Sequence, residues 1–477
     1  MASTDSVKIL EVCQVAPAHD LTDSPTELSL PLTFLDTLLL ILPPAGRIYF
    51  YKFSGLTPTL FHSEILPTLK QSLSRTLLSF LLLAGQLTWP SDSPKPIIYY
   101  APNDTVSVTI AESNADFDSL VGDEIHQVSQ SRGFVPELFL SETLASIMSL
   151  QITLFPDKGF SIAIIIHHAA LDGVSISMFL KAWASMAKHM KNGESFSLLP
   201  EQTPFLDRTV MNEFESLFYK ECLDVTALDS ESIPRSLKLI SNDRLQVPTD
   251  LVRATFRLSR ENIEKLREKA LHHYQREISG LKVDQELRFS TFVLAYAYVA
   301  VCLVKTRGGD SNRKVGISVA VDCRNRLDPP IPKNYFGNCI FGYEIVLEAG
   351  EFMQENGAAV VAKKINDFLK GLRNGIFQDA KESLARLREI APDVQQLSLV
   401  GSPRFMYYEE DFGWGPPEKV DVASINWVNI CGISDVNGIS LIDSKYGNGG
   451  VEIGLSLLRD DMEAFASLFA HGLEVNS

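Results

Sequence analysis

The chain is poor in positive charge. Its 477 residues carry 43 Lys and Arg against 59 Asp and Glu, a net charge of −16. Nucleic acid and anionic membrane surfaces both need a basic face, so neither is expected as a main partner. An anionic ligand has to be held by a local cluster of donors against the overall field. Six cysteines (Cys13, Cys222, Cys302, Cys323, Cys339 and Cys431) are scattered, with no Cys-x-x-Cys pair and no His/Cys spacing that fits a metal. That usage points to reduced thiols in a cytoplasmic protein with no metal centre. The apolar runs at 38–42, stopped by Pro43-Pro44, and at 77–83 are too short to cross a bilayer. Residues 1–20 show no apolar signal-peptide core. No Gly-x-Ser-x-Gly nucleophile turn occurs, which argues against a serine hydrolase, and no Gly-rich phosphate loop is visible.

What is present is an ordinary globular composition, 45% hydrophobic and 21% charged, at a length that suggests two domains. Arg47 to Phe53 alternates like a strand, and Leu66, Leu69, Leu73, Leu77 and Phe80 recur at helical spacing with Pro67 in the first turn. Residues 97–100, 106–111 and 160–166 read as strands, and Val174 to Met190 as a helix. A polar, proline-interrupted stretch over 196–250 reads as a crossover between a domain at 1–195 and another at 251–477. The second domain begins with helical patterns at 261–274 and 292–305, the latter capped by Ser290-Thr291. Its apolar strand at 314–321 runs into Asp322-Cys323-Arg324, a faint echo of the strand at 160–166.

That earlier strand, Ile162-Ala163-Ile164-Ile165-Ile166, runs into His167-His168-Ala169-Ala170-Leu171-Asp172-Gly173. An imidazole at the end of a rigid buried strand is well placed as a general base, because histidine titrates near neutral pH. Neighbouring strand residues point to opposite sides, so only one of the two histidines can face a given cleft. The bland alternative for either is a satisfied core imidazole. A serine-protease-like dyad of histidine and Asp172 is the less favoured reading, since a spacing of four unites side chains on a helix and this segment is strand followed by turn.

Two further motifs stand downstream, Tyr335-Phe336-Gly337-Asn338-Cys339 and Asp411-Phe412-Gly413-Trp414-Gly415. With all three in this order, and with flanks from Leu28-Ser29-Leu30-Pro31 to Val451-Glu452-Ile453-Gly454, the chain resembles the BAHD family of acyl-CoA-dependent acyltransferases over nearly its whole length. The resemblance implies an α/β fold of two similar chloramphenicol-acetyltransferase-like domains, mixed sheet and helices, with a channel between them. It maps the family's catalytic histidine to His168 and makes His167 a structural neighbour. It implies that Asp172 faces away from the cleft and pairs with Arg324, and that Asp411, Gly413, Trp414 and Gly415 form a structural loop. Contact with coenzyme A is the competing reading for that loop. Asn338 either donates a hydrogen bond near the cleft or orders its own turn. Lys282, Ser290 and Thr291 lie in the region that contributes to the coenzyme A site. Acyl-CoA is then a co-substrate rather than a bound cofactor, the other partner is a small-molecule alcohol or glycoside, and the protein is expected to act as a monomer.

Within the family the chain is most similar to the branch that acylates anthocyanins and other phenolic glucosides, many members of which use malonyl-CoA. Buried without a cation, a malonyl carboxylate would cost several kcal/mol. Yet the residue after His-x-x-x-Asp-Gly, often lysine in such enzymes, is Val174, and the residue after the aromatic loop, often basic, is Pro416. Arg404 or Arg47 are the candidate substitutes, and acetyl and hydroxycinnamoyl donors are the rivals to malonyl. The alternative functions are the same chemistry on an alkaloid, terpenoid or simple alcohol, or a binding protein without turnover.

Overall fold

The computed structural model describes residues 7–18, 27–40, 42–93, 95–215, 236–237, 250–277, 288–372, 375–377, 380, 382–383, 394–423 and 436–474. Most of the crossover, together with Lys282, Cys222 and Cys431, lies outside the described residues.

The strand leading to the histidines, Gly159–Ile166, is buried at every position. Its β-branched and small residues fit the centre of a sheet, and it pairs antiparallel on one side with Met148–Phe155 and on the other with Ala45–Lys52. With Lys8–Val15, Val106–Glu112 and Lys419–Val422 these strands make a six-stranded mixed sheet. One face packs on the helices Leu66–Leu77 and Gly173–Lys191. Between those two helices Trp183 buries its indole and donates to Ser72 Oγ at 3.0 Å. The other face is an aromatic layer of Phe50, Phe117, Phe134 and Phe155 with ring centroids 5.2–6.3 Å apart. A smaller four-stranded sheet joins Leu28–Pro31, Ile97–Tyr100, Gln86–Thr88 and Leu144–Ser146.

The second large sheet has seven strands and is also mixed, with Gln395–Val400 parallel to both its neighbours. Its helix Thr291–Arg307 is apolar all round and buried from Val293 to Val304, as expected of a helix covered on every side. Ser290 caps it by accepting from Val293 N–H at 3.2 Å. Tyr296 fastens this helix to the sheet by donating to the carbonyls of Leu397 and Ser318 at 2.7 and 3.0 Å.

The helix whose spacing is read from Leu66 onward begins earlier, at Pro58, capped by Thr57, and passes through a wide π turn over Phe61–Ile65. The turn explains how Pro67 is tolerated well inside a helical run. Proline has no N–H for the usual bond four residues back, and the local change of pitch accommodates that loss.

Each half lends a strand to the other's sheet. Lys419–Val422 pairs with Ala45–Lys52, and His126–Gln127 pairs with Leu251–Leu258. Charge locks both exchanges. Arg253 contacts Asp421 at 3.2 Å and donates to the carbonyl of Val422 at 3.2 Å. Lys419 donates to Asp123 at 2.9 Å. Arg253, Asp421 and Lys419 are all buried. Replacing Arg253 with alanine strands the Asp421 carboxylate in the interior, a loss of about 3–5 kcal/mol. Urea denaturation should show the midpoint of Arg253→Ala falling accordingly, and a midpoint near wild type would mean that the pair does not hold the halves together.

Candidate active site

The site grows out of the end of the central strand. His167 points into the core and is 1% exposed. Its Nδ1 accepts from Ala169 N–H at 3.3 Å, and its Nε2 is buried with no partner. Burial pushes its pKa down to about 4, so this imidazole stays neutral. His168, one residue on, keeps part of its surface open. Its Nδ1 is closed off from solvent beside the residue's own main-chain carbonyl, which leaves Nε2 as the nitrogen that can exchange protons. Burial also lowers the His168 pKa, opposed by its own main-chain carbonyl and by the charge of Asp172. At neutral pH the ring is an unprotonated base.

Asp172 does not bond to His168. Its Oδ2 accepts from Arg324 Nη1 at 2.8 Å and from Cys339 N–H at 3.0 Å, while its Oδ1 accepts from Arg324 Nη2 at 3.2 Å and from Ser175 N–H at 2.9 Å. The last bond caps the helix Gly173–Lys191, a usual position for aspartate. Although burial alone would raise it, Arg324 and these N–H groups hold the Asp172 pKa below the ordinary carboxylate value. Arg324 also donates to the carbonyls of Tyr335 and Gly337 at 3.1 and 3.2 Å. One ion pair thus ties the turn after His168 to Tyr335–Cys339.

Asn338 closes the same junction from the other side. It is fully buried, and its Nδ2 donates to the main-chain carbonyl of His168 at 3.0 Å and to Asp36 Oδ1 at 2.9 Å. These bonds join the Asn338 turn to the main chain of His168 and to Asp36. Asp36 had no part in the sequence argument. It sits in a capping box with Thr33, and Arg208 approaches its Oδ2 at 3.3 Å. The Thr33-x-x-Asp36 spacing was the available signal, since threonine followed three residues later by an acid is a helix-start pattern.

The Asp411-Phe412-Gly413-Trp414-Gly415 loop grips the far end of the same helix. Asp411 Oδ1 accepts from Gly413 and Gly415 N–H at 2.8 and 2.9 Å, and its Oδ2 accepts from Lys188 at 2.8 Å. Both glycines need the left-handed region, at φ +100° and +94°. Phe412 packs edge-on against Trp183 with centroids 4.8 Å apart, and Trp414 stands against Phe160 at 5.8 Å. These contacts fasten the loop to the helix Gly173–Lys191 and to the strand Gly159–Ile166.

Of the remaining candidates, Ser290 is exposed at the start of its helix with Thr291 beside it, and Arg404 is exposed in a short turn. Arg47 lies buried beside Gly173. Cys323 and Cys339 are buried and their thiol pKa values are raised well above the ordinary range by desolvation, so neither is a poised nucleophile. Among the described residues no group of His, Cys, Asp and Glu side chains could hold a metal ion, and no helix is long and apolar enough to cross a membrane.

Comparison with known proteins agrees with this architecture. The sequence pattern of the group described as the Transferase family matches residues 6–471. Phenolic glucoside malonyltransferase 1 of Arabidopsis thaliana is 41% identical over 481 residues, covering 98% of each chain. Malonyl-CoA:anthocyanidin 5-O-glucoside-6''-O-malonyltransferase of Arabidopsis thaliana is 40% identical over 479 residues, covering 98% of this chain and 99% of that one. The crystal structure of vinorine synthase superimposes with a TM-score of 0.67 at 19% identity, covering 97% of this chain and 98% of the other. That likeness establishes the fold, the chloramphenicol-acetyltransferase-like arrangement expected from the sequence.

Breaking the Asp172–Arg324 pair should act on stability before chemistry. Asp172→Ala leaves a guanidinium buried without its partner, a loss of about 3–5 kcal/mol. A large drop in melting temperature or soluble yield is expected, with the pH–rate profile of the surviving protein little changed. A variant that is stable but inactive would show that the carboxylate serves proton transfer instead.

Proposed function

The chain belongs to the BAHD family of acyl-CoA-dependent acyltransferases, and we propose that it moves a malonyl group from malonyl-CoA to a hydroxyl of a phenolic or flavonoid (anthocyanin) glucoside. The acyl donor and the glucoside acceptor are taken from the names of the malonyltransferases it resembles. The single observation that carries the mechanism is the pair of neighbouring imidazoles in opposite environments, His167 sealed in the core and His168 partly open with only Nε2 free.

In this reading acceptor and donor meet at His168. Nε2 takes the proton of the acceptor hydroxyl as its oxygen attacks the thioester carbonyl. The carbon–oxygen bond forms, the carbon–sulfur bond breaks, and the proton passes from the imidazolium to the departing coenzyme A sulfur. General-base assistance of this kind contributes on the order of 10²–10⁴-fold. The raised thiols of Cys323 and Cys339 favour direct transfer in a ternary complex over a covalent acyl-enzyme. The halves at 1–195 and 251–477, joined by the crossover 196–250, enclose a channel open at both ends, one mouth for each substrate. Lys282, Ser290 and Thr291 contribute to the coenzyme A end. Ser290 is exposed, and since its hydroxyl oxygen accepts from Val293 N–H its own proton is available to a ligand. Asn338 works by positioning, through its bond to the His168 carbonyl. In the same proposal the protein acts in the cytoplasm, as a monomer.

A matrix of malonyl-, acetyl- and coumaroyl-CoA against phenolic glucosides and simple alcohols, with products weighed by mass spectrometry, tests the assignment. Malonylated glucosides are the expected products. Exclusive transfer to non-glycoside alcohols, or no coenzyme A release with any pair, would overturn it.

Two kinetic outcomes follow for the base. His168→Ala should lower kcat by roughly 10²–10⁴-fold, while His167→Ala costs less, and equal losses would refute the choice between them. Because the folded protein holds the His168 pKa below 6.5, the neutral base persists into mild acid. The acidic limb of kcat/KM should therefore have its midpoint below 6.5, and a midpoint above it would exclude His168 as the titrating base.

A further inference from the structure

Buried cations among the described residues come with counter-ions, with one exception. Among the described residues, Arg208, Arg253, Arg324 and Lys419 are buried, and each has a carboxylate within 3.3 Å, on Asp36, Asp421, Asp172 and Asp123 in turn. Arg47 is 6% exposed and has no carboxylate of the described residues within 4.0 Å. Its contacts are neutral. Nη1 donates to Ser177 Oγ at 3.1 Å and Nη2 to the carbonyl of Gly173 at 3.3 Å. The guanidinium lies over the ring of Tyr407 at 4.6 Å and near that of Phe405 at 5.8 Å. Beside it lies the buried hydroxyl of Tyr49, a further neutral group facing the guanidinium.

The carboxyl group nearest in effect, Glu410, does not fill the gap. It is buried with neither oxygen hydrogen-bonded, and burial pushes its pKa up to about 8, so it is mostly protonated at neutral pH. An ion removed from water without a partner costs several kcal/mol, which a fold tolerates where a ligand supplies the missing charge.

The place of this charge matters as much as its isolation. Gly173 directly follows the motif aspartate at the start of the helix and, with Val174, is partly exposed. A Cβ added at Gly173 would stand 3.6 Å from Arg47 Nη2 and 2.7 Å from the Phe405 ring, so glycine is what lets the guanidinium and the aromatic ring close on this point. The cation missing at Val174 in the sequence is thus delivered in space from the neighbouring strand. Arg404, the other candidate, is exposed.

We infer that Arg47 selects the acyl donor, receiving the free carboxylate of a dicarboxylic acyl thioester of the malonyl type. The inference rests on the malonyl reading above. A charged hydrogen bond to that carboxylate distinguishes malonyl-CoA from acetyl-CoA, which presents only a methyl group to the same point. The neutral partners Ser177 and Gly173 hold the guanidinium in place without cancelling its charge.

The test compares malonyl-CoA and acetyl-CoA on one glucoside acceptor. In Arg47→Met the malonyl-to-acetyl ratio of kcat/KM should fall by roughly 10–100-fold, the usual range for a hydrogen bond to a charged group. Arg47→Lys should restore part of it. A role confined to fastening strand to helix would lower both donors together, so a ratio within twofold of wild type in soluble Arg47→Met overturns the inference. If that variant is insoluble, the wild-type protein decides. Malonyl-CoA should then raise the melting temperature more than acetyl-CoA at equal concentration, and equal shifts overturn the inference. A wild-type enzyme that turns over acetyl- but not malonyl-CoA refutes the donor reading itself. Malonyl turnover with an unchanged ratio refutes only the role of Arg47.

Discussion

The geometry of the site depends on one buried ion pair. Asp172 ends the turn that follows His168 and starts the helix Gly173–Lys191, while Arg324 follows the second-half strand Lys314–Asp322. Their contact at 2.8 Å crosses 152 residues of sequence. Two charges taken from water gain little net stability from each other, but removing either one is expensive. Such a pair therefore acts as a register. It admits one relative placement of the two halves, the one in which Cys339 N–H also meets Asp172 and the Tyr335 and Gly337 carbonyls meet Arg324. His168 has no strong bond through its ring, so its position is inherited from this frame and from the buried strand beneath it.

A second network repeats the device on the opposite side of the turn. Arg208 meets Asp36, Asp36 accepts from Asn338, and Asn338 holds the His168 carbonyl. The segment Tyr335–Cys339 is thereby held between two carboxylates, one from each side. Main-chain atoms carry most of these contacts. The ring of His168 carries no contact to a carboxylate of the described residues, whereas an orienting carboxylate on Nδ1 would raise its pKa and fix its charge. A buried imidazole with a lowered pKa is a weaker base, but one that is neutral near pH 7.

Much of this was legible in the sequence. Continuous apolar strands and one fully apolar helix declare themselves by composition, and residues 97–100 and 160–166 fall where alternation and branching put them. The exchanged strands did not. Lys419-Val420-Asp421-Val422 has the polarity of a surface loop, yet all four residues are buried. Its lysine is neutralised by Asp123 and its aspartate by Arg253, partners 296 and 168 residues away. No local pattern can signal a charge whose compensation arrives from the other half. Asp36 was obscure for the same reason, since its acceptor role becomes visible only once Asn338 and Arg208 are beside it.

Salience in sequence is also a poor guide to chemistry. The Asp411–Gly415 motif is the most distinctive stretch of the chain, and each of its features has a mechanical cause. Asp411 accepts from two loop N–H groups and from Lys188, the glycines adopt backbone angles that other residues resist, and Phe412 and Trp414 fill gaps against Trp183 and Phe160. Lys191 completes the clasp by donating to the Gly413 carbonyl. A structural demand of this kind acts on every atom of the loop at once, so it writes a dense motif. A base needs only one nitrogen at the end of a strand that cannot move, and so it leaves a sparse one.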